Sequence, residues 1–322
     1  MIRIGVLGAA RIAPKGIVSP AAKRADCEIV AIGCRSREKG LQFASYNNVL
    51  AEVMSYEELC KHPSIDMIYI ALPPSEHAKW ACLAMEQGKA VLCEKPAAMG
   101  AADAQLMAET SLRTGQAFME AFHYYFHPAF QAFHKEANRI MTSGKDLSFE
   151  GHFSASIPNR AGQLRYEPAL GGGALMDLGC YPLHVFRQFF GPLNVLEVEA
   201  DIQGGVDVSL TAHLSAEKAK GHIYCNMAEG APRADYLRIN AGESNAAELE
   251  CFVAPYRGYS LRFTQNGEVT ETQIGETDLT TYDYQLAHFI EALSKDRLDL
   301  TVSDMVNQAE TIEAIYRKIG LR

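Results

Sequence analysis

The sequence predicts an α/β half, a doubly wound parallel sheet, followed by an α+β half built on an open, mostly antiparallel sheet. Up to Glu120, short apolar runs alternate with helical patterns, the order of successive βαβ units. From about Ser148 the period changes to apolar–polar alternation, with glycine-containing turns such as Gly204-Gly205 and Asn266-Gly267 between runs. A chain of 322 residues also exceeds one core at roughly 100–200 residues per domain, and the change of pattern puts the domains at 1–121 and 122–322.

In the first half, strands are predicted at 2–7, 28–34, 67–71, 90–93 and 116–120, and helices at 13–23, 38–46, 56–61, 76–87 and 101–113. Ser75 is the expected N-cap of the fourth helix, and Gly88 stands where a C-terminal glycine belongs. In the second half, strands are predicted at 149–155, 195–202, 208–214, 221–226, 237–240, 248–253, 260–264 and 269–274. Helical patterns return at 282–293 and 303–318, to pack back on one of the two domains.

Composition narrows the function classes. The chain is 48% hydrophobic and 21% charged, with a formal charge of -9, and has no basic cluster dense enough to neutralise phosphates, which argues against nucleic acid as a partner. The eight cysteines stand singly, without the close pairs of a zinc site, so no metal is expected and they read as small hydrophobes in a reducing compartment. Met1 leads straight into a strand-like run, and no apolar stretch reaches the ~20 residues of a membrane span, so the expected location is the cytoplasm, with no membrane partner.

After the first strand, Gly8-Ala9-Ala10-Arg11-Ile12-Ala13 occupies the place of the Rossmann fingerprint G-x-G-x-x-G/A, with Ala10 for the second glycine. In that fingerprint the backbone approaches a pyrophosphate, which sits on amides at a helix N-terminus. The second strand ends in Cys34-Arg35-Ser36-Arg37, without the acid that accepts bonds from the ribose of NAD. A guanidinium and a hydroxyl suit the 2′-phosphate of NADP, which makes NADP the preferred cofactor and NAD the second choice.

Two further segments carry chemistry: Glu94-Lys95-Pro96 at the end of a predicted strand, and Gly171-Gly172-Gly173 followed by Asp177 and Tyr181. With Leu72-Pro73 and His77, Glu120-Ala121-Phe122 through His127-Pro128, and Tyr284-Gln285-Leu286-Ala287-His288-Phe289, they make the sequence resemble the Gfo/Idh/MocA oxidoreductases, over essentially the whole chain. The likeness is closest to the glucose-fructose oxidoreductase and dimeric dihydrodiol dehydrogenase-like branch. The resemblance implies a Rossmann domain, an open-sheet domain and an active site in the cleft between them. It places Lys95 by the nicotinamide, makes Tyr181 the acid/base and Asp177 the motif aspartate, and implies a homodimer or homotetramer formed through the C-terminal sheet.

The residue types suit those roles. Pro96 pushes Lys95 towards extended geometry, aiming its side chain from a fixed backbone. Burial and the positive nicotinamide would move that lysine's pKa down towards the working pH. Asp177 and Tyr181, four apart, share a face if their segment is a regular helix, and His184 falls on nearly the same face. Pro182 would kink such a helix. Relatives commonly carry an arginine in the stretch written here His123-Tyr124-Tyr125-Phe126-His127-Pro128, where this chain has Tyr125, and Arg165 is the expected substitute for its charge; His123, Tyr125 and Arg165 join Tyr181 and His184 as substrate-binding candidates. The expected reaction is hydride transfer between nicotinamide and a sugar, sugar derivative or vicinal diol. The resemblance also leaves open a glycoside hydrolase working by transient oxidation with bound NAD, and a non-catalytic cofactor-binding sensor.

Overall fold

The computed structural model describes residues 1–142, 146–295 and 302–321. It divides into two compact units, Met1–Phe122 with Tyr282–Val306, and His123–Thr281 with Asn307–Arg322. The helices near the C-terminus, α8 (Thr281–Ser294) and α9 (Val302–Lys318), are thus shared out between the two units.

The first unit is a six-stranded parallel sheet of β1 (Ile2–Leu7), β2 (Cys27–Gly33), β3 (Glu52–Met54), β4 (Met67–Ile70), β5 (Ala90–Cys93) and β6 (Phe118–Glu120). Its strand order, β3-β2-β1-β4-β5-β6, is that of two mononucleotide-binding halves meeting between β1 and β4. Buried on both faces, β4 and β5 read as unbroken apolar runs, Met67–Ile70 and Ala90–Cys93. The sequence pattern missed β3, whose three residues are too few to show a period.

Helix α4 (Pro74–Glu86) starts earlier than expected, with Pro73 as its N-cap. Ser75 is therefore not the cap. Two prolines already have the φ that a first helical turn requires, and the Ser75 hydroxyl is buried inside that turn. Gly88, φ +74°, does follow the helix end in the left-handed region.

The second unit holds an eight-stranded sheet in the order β14-β13-β12-β11-β7-β10-β9-β8. Its strands are β7 (Leu147–Ser154), β8 (Asn194–Gln203), β9 (Val206–Ser215), β10 (Ala219–Asn226), β11 (Ala234–Ala241), β12 (Ala246–Glu250), β13 (Arg257–Gln265) and β14 (Glu268–Glu276). Every pair is antiparallel except β7 with β10. One face is apolar, with Phe149, Phe153, Leu210, Ile223, Leu237 and Ile239 buried. Helix α7 (Cys180–Phe190) covers it closely: Phe186 stacks on Phe149 at 4.5 Å. Gly151 lies so near the helix that a Cβ there would stand 2.6 Å from Pro182.

The sequence reading also missed α6 (Pro128–Met141). Its signals were present: proline at the first helical position, and Phe130, Phe133, Ala137 and Ile140 on one buried stripe. No helix among the described residues is long and apolar enough to cross a membrane.

Candidate active site

In the first unit the glycine turn has the form its position requires. Gly8 has φ +108°, and a Cβ there would lie 2.5 Å from the Ala71 carbonyl oxygen, so no other residue fits. Ala10 is not in the left-handed region, which is why alanine can replace the second glycine of the fingerprint. Ala9, Ala10 and Ile12 are partly exposed and Arg11 is exposed, ahead of the helical turn that starts at Pro14. This cradle, at the C-terminal end of β1 and at the reversal of strand order, fits a dinucleotide pyrophosphate.

At the end of β2, Cys34 is half-buried, and Ser36 caps α2 (Arg37–Tyr46), its hydroxyl oxygen accepting from Lys39 N. That leaves the Ser36 O–H proton to give to an anion. Arg35 is exposed beside the Tyr56 hydroxyl, where its charge lowers a pKa that burial raises more strongly. Arg37 spends one N–H on the Val53 carbonyl at 2.9 Å and keeps the rest of its fork.

Lys95, half-buried, follows β5, and the Lys95–Pro96 bond is cis. The backbone around it is tied to buried side chains. Ala97 N donates to Glu120 Oε1 at 2.8 Å. His77 is buried with Nδ1 3.1 Å from the Pro96 carbonyl and Nε2 2.8 Å from the Leu72 carbonyl, which joins the Leu72-Pro73 loop to the lysine loop. Burial holds the His77 pKa below its ordinary value, against those carbonyls. The Glu94 carboxyl accepts from the Tyr69 hydroxyl at 2.5 Å and from Lys95 N–H. Burial raises the Glu94 pKa; the Tyr69 bond and the charge of Lys95 work the other way.

In the second unit, residues Leu175–Gly179 form a π-helical turn that runs directly into α7. This corrects the expectation of one regular helix. The wider turn changes the angle between Asp177 and Tyr181, and Pro182 falls in the first turn of α7, where its missing N–H is tolerated. Gly173, φ +128°, starts the turn. A Cβ there would lie 2.2 Å from Asp207 Oδ1, while Asp207 Oδ2 accepts from Leu175 N at 2.7 Å. From α9, Gln308 donates to the Cys180 carbonyl at 2.9 Å, just before Tyr181.

Four of the sequence-predicted residues meet here. Arg165 Nε donates to Asp177 Oδ2 at 2.5 Å, and the neighbouring carboxylate raises the Arg165 pKa, with a smaller contribution from Tyr181. Tyr181 is 5% exposed, with its hydroxyl 3.1 Å from His123 Nε2. His184 instead bonds Tyr124 Oη at 2.6 Å and lies 3.3 Å from Gln188 Nε2, and the Tyr125 ring packs against Phe126 and Phe130. Thr281, on His123 Nδ1 at 2.7 Å, was not anticipated; it lies 158 residues from His123 and no local pattern marks it. Tyr69 likewise reads as an ordinary strand residue, and Glu120 entered only as part of the Glu120-Ala121-Phe122 segment, with no role of its own.

An ion pair beside a buried phenol and imidazole can bind a polar oxygen and exchange a proton with it. Residues 2–122 match the model of an oxidoreductase family with an NAD-binding Rossmann fold, GFO_IDH_MocA, and residues 137–244 match the GFO/IDH/MocA C-terminal domain. D-xylose 1-dehydrogenase (NADP(+)) 2 of Haloferax volcanii is 30% identical over 319 residues, 97% of this chain and 95% of that protein. Scyllo-inositol 2-dehydrogenase (NADP(+)) of Bacillus subtilis is 31% identical over 219 residues, 67% of this chain and 66% of that protein. Among solved structures, a 3-ketoreductase from Actinomadura kijaniata in complex with NADP and TDP-benzene matches with a TM-score of 0.87 at 22% identity, over 98% of this chain and 97% of that one. The parallel sheet with its glycine turn, the open sheet and these matches over both halves show that the chain belongs to the Gfo/Idh/MocA family of NAD(P)-dependent oxidoreductases.

Proposed function

We propose that the protein is an NADP-dependent dehydrogenase or reductase acting on a sugar, a sugar derivative or a vicinal diol. The observation that carries this reading is the buried Tyr181 phenol, bonded to His123 and set beside the Arg165–Asp177 pair. NADP supplies the hydride acceptor or donor for a CH–OH carbon. Tyr181 exchanges the proton with the substrate oxygen, Lys95 hydrogen-bonds that oxygen and stabilises its developing charge, and the Arg165–Asp177 pair orients the phenol. Arg35, Ser36 and Arg37, with no acid among them, support NADP over NAD, as do the NADP-named relatives. Gly8, Ala9, Ala10, Arg11 and Ile12 take the pyrophosphate, and Leu72, Pro73 and His77 shape the loop before α4. Substrate hydroxyls are taken by Arg165 and Tyr181, with His123, Tyr125 and His184 behind them. We assign the enzyme to the cytoplasm, where its eight free cysteines stay reduced.

The test is nicotinamide absorbance with NADP and with NAD against aldoses, ketoses, inositols and vicinal diols, for the wild type and Lys95→Ala. NADP-preferring turnover that falls at least ~10²-fold in the variant, with cofactor binding kept, is expected. Unchanged turnover in Lys95→Ala removes Lys95 from the mechanism. Tightly held NAD with glycoside cleavage and no net turnover replaces the dehydrogenase reading with redox-assisted hydrolysis.

A further inference from the structure

We propose that His123 is a catalytic partner of Tyr181, a fixed N–H donor that stabilises the phenolate, and that Thr281 is the positioning residue that sets its tautomer. The inference rests on the reading of Tyr181 as the acid/base. The three groups form one chain in the second unit: Tyr181 Oη to His123 Nε2 at 3.1 Å, then His123 Nδ1 to Thr281 Oγ1 at 2.7 Å. His123 is 2% exposed and Thr281 0%, so none of these groups can rely on bulk water for a partner. The surroundings are aromatic. The Tyr181 ring lies 5.7 Å edge-on from the His123 ring, 5.9 Å from Tyr124 and 5.6 Å from Phe153.

In such a setting a phenolate left by proton transfer is costly, and a preorganised donor is worth more than in water. A neutral imidazole carries one N–H, whereas a threonine hydroxyl can donate or accept. When Thr281 donates to Nδ1, the ring proton sits on Nε2 and points at the Tyr181 oxygen. The phenol's own proton is then not spent on the ring and can pass to the substrate. In the opposite tautomer the phenol would spend that proton on the ring and have none to give.

The proton count closes. In the reductive direction the Tyr181 O–H bond breaks and the alcohol O–H bond forms as the carbon is reduced. The phenolate charge is held by the Nε2–H of His123, which keeps its proton. The oxidative direction runs the same exchange backwards, with the phenolate taking the alcohol proton.

The experiment follows the Tyr181 phenol itself. Protein labelled with ¹³C at the tyrosine ζ carbon is titrated by NMR with NADP bound, the Tyr181 signal being identified by its loss in Tyr181→Phe. Thr281→Val is expected to raise the Tyr181 midpoint by about one unit and His123→Phe by more, while Thr281→Ser restores the wild-type value. The other tyrosine signals report whether each variant is folded. A Tyr181 midpoint that is the same in wild type, Thr281→Val and His123→Phe overturns the inference. Full turnover in Tyr181→Phe, measured separately by absorbance, would instead sink the acid/base reading on which it rests.

Discussion

Three buried side chains hold the backbone on either side of Lys95: Glu94 through Lys95 N–H, His77 through the Pro96 carbonyl and Glu120 through Ala97 N. A flexible lysine is thereby carried on a segment tied down on both sides, which limits where its ammonium can go. In the second unit the comparable device is an ion pair. Arg165 Nε donates to Asp177 Oδ2, so removing either takes a charged partner from the other. We expect Arg165→Met and Asp177→Asn each to lower kcat/KM by about tenfold or more, and the double variant to lose little beyond the worse single one. Losses that simply multiply in the double variant would show that the two residues act independently.

At the level of elements, the π turn ahead of α7 is assembled from outside itself: Asp207 of β9 takes Leu175 N, and Gln308 of α9 takes the Cys180 carbonyl. Tyr316 Oη donates to the other Asp207 oxygen at 2.8 Å, so α9 is tied to the same point. Helix α6 is capped by a titratable group, with His127 Nδ1 accepting from Ala129 N at 3.1 Å. That bond requires an unprotonated nitrogen, and burial lowers the His127 pKa from 6.5 to about 4. The unfolded chain therefore takes up a proton near pH 6.5 while the native state does not. The stabilisation is complete above that pH and is lost as pH falls towards 4. Burial lowers His77, His134, His152 and His288 in the same direction. Urea unfolding at pH 7 and pH 5 should show a loss of about 1 kcal/mol or more, smaller in His127→Asn, which keeps a capping oxygen. An identical loss in that variant would remove His127 as a source.

For the whole molecule the open sheet matters through the face that α7 does not cover. Its second face carries His152 stacked on Tyr236 at 5.1 Å and packed against Tyr224 at 4.7 Å, with Glu150 accepting from Tyr236 Oη at 2.6 Å. Nearby are His213 and His222, whose rings are 5.7 Å apart, and Leu196, which is half exposed. An aromatic, hydrogen-bonded and half-buried face is the composition of an interface core more than of a solvated surface. We propose that a second copy of the chain covers it, giving a homodimer or homotetramer. Light scattering should give at least twice the mass of one chain, and Tyr236→Glu should shift the protein towards single chains. A single-chain mass in the wild type would end the idea.

Much of this was legible in the residues, because it follows from local chemistry. The alternation of apolar runs with helical patterns located all but one strand of the parallel sheet, and period-two alternation located the eight strands of the open one. Gly8, Lys95, Asp177 and Tyr181 were legible because each stands in a short motif with a steric or chemical reason of its own. The sequence also pointed to Arg165, but not to its pairing with Asp177. Only the tertiary structure decided the π turn, the positions of His184 and Tyr125, and the contacts of Glu120, Asp207 and Thr281. These depend on partners up to 158 residues away, and a hydrogen bond across that separation leaves no periodic trace in the chain.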